Sequence, residues 1–250
     1  MDETIFESLV SEIKGMKPSW GRTDKIDYLI SAMNEKPGIL RRALKAWPFL
    51  ESRNIYSGEL CHPEDSEDYL KYNSWTFWDR SGWEKIWKRF IIEVGVHYEE
   101  MAPEAKKNFA IFDTKEKYGT LRVSLSGYDE KLFELESMLE ELSSVTCMHC
   151  GKQPRDSRGM NIIWATTGWI TTLCKSCLRE DYFAGSSKNS KERHEKEKKR
   201  FKEYAKERKS TVPYFASQSW RKNNKKFIFR KPAYGWVETY KVEEVWDDGE

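Results

Sequence analysis

Four of the five cysteines of this 250-residue chain fall into two Cys-x-x-Cys pairs, Cys147/Cys150 and Cys174/Cys177. Such a turn lets two thiolates converge on one cation while backbone N–H groups point at the sulfurs, and two turns complete a tetrahedral sulfur site of the kind that holds zinc. The spacing therefore predicts one Zn2+ bound by Cys147, Cys150, Cys174 and Cys177. A closed four-sulfur site leaves no position for a reactive water, so the expected role of the ion is structural. The redox reading of a Cys-x-x-Cys pair needs a single active dithiol ahead of a thioredoxin-like helix, and nothing here suggests that fold. His149, inside the first turn, reads as an exposed loop residue because four thiolates already suffice.

Two further groups have chemistry-bearing side chains. The run Cys61-His62-Pro63-Glu64-Asp65 lacks a partner at motif spacing and reads as ordinary loop. Residues 211–231 carry six basic residues, no acidic ones and several aromatics. Trp220, Arg221, Lys222, Lys225, Lys226, Arg230 and Lys231 would suit phosphates and stacked bases. A core hairpin with a basic outer face explains the same residues equally simply.

The elements that must position these groups follow from periodicity. Ile5, Phe6, Leu9, Val10 and Ile13 recur at helical spacing, as do Ile26, Leu29, Ile30 and Met33, and Ile39, Leu40, Leu44 and Trp47 beyond Pro37-Gly38. Ser81 and Glu84 have capping-box spacing ahead of a stripe from Trp83 to Val94, predicting a helix through about Glu100. Trp83 and Trp87 belong to that stripe, which favours core packing over a docking role for these two members of the cluster Trp75, Trp78, Trp83, Trp87. Residues 108–127 change to period two around a charged, Gly-containing turn and predict a β-hairpin, with Gly119 placed where φ is positive. A helix from about Asp129, with Leu132, Leu135, Met138, Leu139 and Leu142 inward, leads to the first cysteine pair. The segment between the pairs can fold as a hairpin, so knuckle, hairpin and helix N-terminus predict a treble-clef or zinc-ribbon module.

The expected fold class is α+β: a helical N-terminal region (1–105), a hairpin-helix-zinc module (106–185), a charged helix or linker (186–210) and a basic, aromatic C-terminal hairpin (211–250). Charge is uneven along it. Residues 1–185 carry a net −5, 186–231 a net +12 and 232–250 a net −5, within a total of +2. That asymmetry points to an interaction surface or to pairing between segments. The acidic start and the lack of an apolar run of membrane-spanning length predict a cytoplasmic protein with no membrane partner.

The ordered combination SGWEKIW, KEKYGTLR (Lys115 to Arg122), LSSVTCMHCG and GWITTLCKSC resembles a group of uncharacterised phage and prophage proteins, over about residues 81–180. The resemblance implies a zinc-stabilised accessory protein that binds a host or phage macromolecule and, as one version, inhibits a host defence or the host nucleic-acid machinery; it brings no known reaction. Lys115, Lys117 and Arg122 are the expected functional surface outside the tail, with solvated strand residues the plainer reading. The first alternative is a nucleic-acid binder acting through 186–231. The second is an HNH-like treble-clef nuclease, which needs catalytic and metal-binding histidines, yet residues 151–185 contain none.

Overall fold

The computed structural model describes residues 2–17, 20–54, 56–127, 129–153, 163–165, 172–174, 176–177, 211–212, 227–230 and 240–243. The fold is α+β. It divides into two compact units: Met1–Arg80 with Glu84–Lys115 and Arg122–Leu139, and Ser81–Trp83 with Glu116–Leu121 and Glu140–Glu250.

The first unit is built on helices α1 (Asp2–Gly15), α2 (Trp20–Glu35) and α3 (Pro37–Ala46), then the short α4 (Glu67–Lys71), the long α5 (Glu84–Glu100) and α6 (Pro103–Asn108). The expected apolar stripes are its core: Phe6, Leu9, Val10 and Ile13 from α1, Ile26, Leu29, Ile30 and Met33 from α2, and Ile39, Leu40 and Leu44 from α3 are all buried. Removing each such side chain from water contributes about 2 kcal/mol. Pro37 occupies the first turn of α3, where its missing N–H is no loss. Arg22 closes α1 by donating from Nη1 to the carbonyls of Ile13 (3.1 Å) and Met16 (2.6 Å), while its other nitrogens grip Glu93 of α5 at 3.1 and 2.6 Å.

Aromatic packing continues through the loop after α3. Phe6 meets Trp47 edge-on at 5.1 Å, and Phe49 packs on Phe109 at 5.1 Å and Tyr98 at 5.3 Å. Trp75 and Trp87 are buried, and their indole N–H groups find Asn34 Oδ1 (3.1 Å) and the Ser74 carbonyl (2.7 Å). Trp75 thus joins Trp87 in the core, whereas the nearby Phe77 is 59% exposed.

Lys88 of α5 is 2% exposed, which sequence patterning did not foresee because Lys sits on the flank of the apolar stripe. Its ammonium is satisfied by Asp79 (2.6 Å), Glu84 (2.8 Å) and Asn34 (3.0 Å), and lies 5.2 Å above the Trp75 ring. Burial raises the Glu84 carboxyl, but Lys88 and the Arg80 N–H outweigh it and hold the group below its usual range.

The hairpin is β1 (Ile111–Lys117) and β2 (Thr120–Leu125), joined by Tyr118 and Gly119. Both turn residues have positive φ, 56° and 74°, the requirement of a two-residue I′ turn whose twist matches the strands. Gly119 meets this freely. Tyr118 does so at a strain of about 1 kcal/mol, and the turn is held by Gly119 N–H on Glu116 Oε1 (2.6 Å) and Thr120 Oγ1 on the Lys117 carbonyl (2.8 Å).

Helix α7 (Glu130–Ser144) follows, started by Asp129 accepting from the Leu132 N–H at 2.9 Å. Leu132, Leu135 and Leu139 are buried and Leu142 is half-buried, as expected. Met138 is the correction: it lies one helical step off that stripe and is 38% exposed.

In the second unit, β3 (Ile163–Ala165) pairs antiparallel with β4 (Thr172–Leu173), with Trp164 opposite Leu173. The expected C-terminal hairpin is β6 (Phe227–Arg230) on β7 (Tyr240–Glu243), with Ile228 opposite Val242. Because β3 also pairs with β6 and β5 (Thr211–Val212) with β7, the five strands form one sheet in the order β4-β3-β6-β7-β5. The charged segment 186–210 lies outside the described residues.

Candidate metal centre

The first cysteine pair is shaped by backbone bonds that the local sequence dictates. Gly151 adopts φ 71°, open to glycine without strain, and its N–H reaches back to the Cys147 carbonyl at 2.9 Å. The Cys147 N–H donates to the Lys152 carbonyl at 2.9 Å, closing the knuckle. Met148 N–H donates to the Thr172 carbonyl at 2.9 Å, which brings β4, and with it Cys174, to the same place. Ser176 and Cys177 are helical.

Ser81–Trp83 forms the outer support of this knuckle. The Gly82 N–H donates to the Met148 carbonyl at 2.6 Å, and a Cβ on Gly82 would lie 2.1 Å from the Cys147 carbonyl oxygen and 2.4 Å from the Gly151 nitrogen. Only glycine admits so close a backbone approach. Trp83 is fully buried and its Nε1–H donates to the Thr146 carbonyl at 3.1 Å. Thr146 Oγ1 donates to the Leu142 carbonyl (2.6 Å) and accepts from Gln153 Nε2 (2.7 Å), while the buried Ser143 hydroxyl takes the Leu121 N–H at 2.8 Å. Gly82, Ser143 and Thr146 are supporting residues that sequence reasoning did not assign, their only signal being their place in the SGW and LSSVTC runs; Trp83 was expected in the core from its apolar stripe, but not as a support of the knuckle.

With that support the four sulfurs of Cys147, Cys150, Cys174 and Cys177 lie within 4.8 Å of one another. Among the described residues they are the one group of metal-ligating side chains so placed. Cys150 Sγ and Cys174 Sγ are 3.6 Å apart, close to the ~3.8 Å edge of a tetrahedron whose metal–sulfur bonds are near 2.3 Å. All are free thiols. Cys147, Cys174 and Cys177 are buried and Cys150 is exposed. The donor set therefore fits a thiophilic divalent ion.

The sulfurs differ electrostatically. Burial pushes the Cys147 thiol up, partly offset by the N–H groups of Cys174, Cys150 and His149. Burial also pushes Cys177 up, reinforced by the sulfurs of Cys150 and Cys174. For Cys150 burial acts in the same direction, but the Lys152 N–H and the other three sulfurs outweigh it and hold the thiol below its ordinary range. Amide donors aimed at thiol sulfur are what a knuckle supplies to a metal-bound thiolate.

The other expected sites are not brought into this cluster. Cys61 is exposed, and the His62 ring packs on Tyr72 at 5.3 Å, leaving no constellation there among the described residues. His149 is exposed, as expected. Lys115, Lys117 and Arg122 are exposed on the hairpin strands; Lys115 pairs with Asp113, and the Lys117 ammonium lies 5.6 Å over the Tyr118 ring. Arg230 is in β6, while Trp220, Arg221, Lys222, Lys225, Lys226 and Lys231 lie outside the described residues. No helix among the described residues is long and apolar enough to cross a membrane. Comparison with family models, with curated proteins and with solved structures returns no match.

Proposed function

We propose that this chain is a zinc-stabilised binding protein in which one structural ion, held by Cys147, Cys150, Cys174 and Cys177, clamps the second unit. The observation that carries this reading is the convergence of the four sulfurs within 4.8 Å. A set of four thiolates selects zinc over the hard divalent cations, which prefer oxygen. Full occupancy of the tetrahedron by protein sulfur is the arrangement of a scaffold. When bound, the ion supplies cross-linking energy; the residues around it hold the knuckle and orient the sulfurs.

For the work of the scaffold, the reading is binding to a host or phage macromolecule, with antagonism of a host defence or of nucleic-acid machinery as the specific form. It is supported by the sequence resemblance and by the uneven charge of the chain. Nucleic-acid binding through 186–231 is the alternative, favoured by the +12 segment.

Two measurements on the full chain test this. Elemental analysis of purified protein is expected to find one zinc per chain, and metal-free, folded protein would overturn the zinc reading. Capture from host lysate is expected to retain one stoichiometric polypeptide through nuclease treatment and moderate salt. Loss of every partner after nuclease, with affinity falling steeply as salt rises, would replace protein antagonism by nucleic-acid binding.

A further inference from the structure

The four cysteines are not equally exposed to solvent. Cys147 is 0% exposed, Cys174 4% and Cys177 9%, whereas Cys150 is exposed. A reagent in water therefore meets the cluster at one corner. Behind that corner, Cys174 Sγ stands 3.6 Å from Cys150 Sγ, about 1.5 Å more than a sulfur–sulfur bond. Solvent access and a neighbouring resolving thiol are the two features that make a cysteine an oxidation site.

We infer that Cys150 is the modification site of the cluster: peroxide-class oxidants attack there, Cys174 resolves the product as a disulfide, and the metal is released. This inference rests on the zinc reading above. In the first step the Cys150 thiolate displaces hydroxide from hydrogen peroxide, forming a sulfur–oxygen bond and breaking the oxygen–oxygen bond. In the second, the Cys174 thiolate displaces hydroxide from the resulting sulfenic acid. The two sulfurs together lose two electrons, peroxide is reduced to two hydroxides that the buffer protonates to water, and Cys147 and Cys177 remain as the cluster's only thiolates, too few to retain the ion. A dithiol reductant reverses the disulfide.

The experiment uses the full zinc-loaded chain carrying Cys61→Ser, since Cys61 is a second exposed thiol. Metal content is measured first. Protein without zinc at that stage overturns the zinc reading and this inference with it. Limiting hydrogen peroxide is then added with a sulfenic-acid trap, and zinc release is followed with a chromogenic chelator. The expected result is trapped label on Cys150, a Cys150–Cys174 cross-link when the trap is omitted, and zinc released in step with the cross-link. A Cys150→His variant, which keeps four ligands, is expected to hold zinc and release it about tenfold more slowly. First label on Cys147, Cys174 or Cys177, or equal release rates from the His variant, would overturn the inference while leaving the zinc reading intact. If the variant fails to load, the labelling map decides alone.

Discussion

Gly82 lies flush against Cys147: a Cβ at position 82 would sit 2.1 Å from the Cys147 carbonyl oxygen, with the knuckle backbone offering no flexible side chain to yield. The contact spans 65 positions of sequence and makes a glycine, which ligates nothing, part of the frame of the four-cysteine cluster. Gly82→Ala is expected to displace the knuckle, destabilise the protein by about 1–3 kcal/mol and weaken metal retention about tenfold. Competition with a graded series of chelators reads the second effect separately from a melting curve. Unchanged zinc affinity would show that the knuckle does not depend on this support.

Removal of the ion is expected to unfold the second unit selectively. Excess chelator should remove protection from hydrogen exchange at Cys147–Gln153 and β4 while leaving that of α1–α3 in place. Because thiolates, not thiols, bind metal, acid and chelator act in the same direction: retention weakens as pH falls and protons compete for sulfur. Retention that rises on acidification would exclude a thiolate site.

Gly95 of α5 faces Trp47, and a Cβ there would lie 2.5 Å from the indole ring. Gly→Ala inside a helix ordinarily gains about 1 kcal/mol. Here the sign is expected to reverse, with Gly95→Ala losing about 1–3 kcal/mol as Trp47 is pushed from its contact with Phe6. Urea unfolding measures it, and a stabilised variant would refute the packing.

Lys88 tests how a buried ammonium is tolerated. Lys88→Met keeps the stem's packing and frees two partly exposed carboxylates to hydrate, so its effect should be small. Asp79→Asn with Glu84→Gln leaves the buried charge without a counter-ion and is expected to destabilise by about 2–4 kcal/mol. The order of the two variants in chemical denaturation is the readout; the reverse order would mean that Lys88 is hydrated rather than buried.

Asp129 caps α7 and accepts from His97 Nε2 at 2.7 Å. Burial raises its carboxyl, but the Leu132 N–H and the His97 ring prevail and hold it below its ordinary value. A group depressed on folding contributes above its unfolded pKa, about 3.9, and that contribution is lost as pH falls through the folded value. Asp129→Ala should therefore lose about 1 kcal/mol near neutrality. Its stability curve should converge with that of the parent as pH falls below the usual aspartate range. Parallel curves down to pH 2 would separate the cap from the carboxylate charge.

What could be read in advance had local signatures. Helical and two-residue periods are repeated every few positions, so α1–α3, α5, the hairpin and α7 were visible as stripes, and one residue such as Met138 could fall off its stripe without hiding the element. The Cys-x-x-Cys pairs likewise carry their chemistry within a turn. A positive φ is announced by glycine but not by tyrosine, so Gly119 was legible and Tyr118 was not.

The remainder rests on pairs of residues far apart in the chain. A lysine's burial depends on whether acceptors such as Asp79 and Asn34 arrive beside it, and nothing within a turn of Lys88 except Glu84 announces them. The pairing of β3 with β6 follows from strand edges meeting across more than sixty residues. By itself the sequence determined that four thiols would converge and that helices would precede them, because spacing and periodicity act over a few residues. The tertiary structure alone decided that Gly82 and Trp83 support the knuckle and that Cys150 is the cysteine of the cluster left exposed, because burial and close approach are properties of the assembled chain.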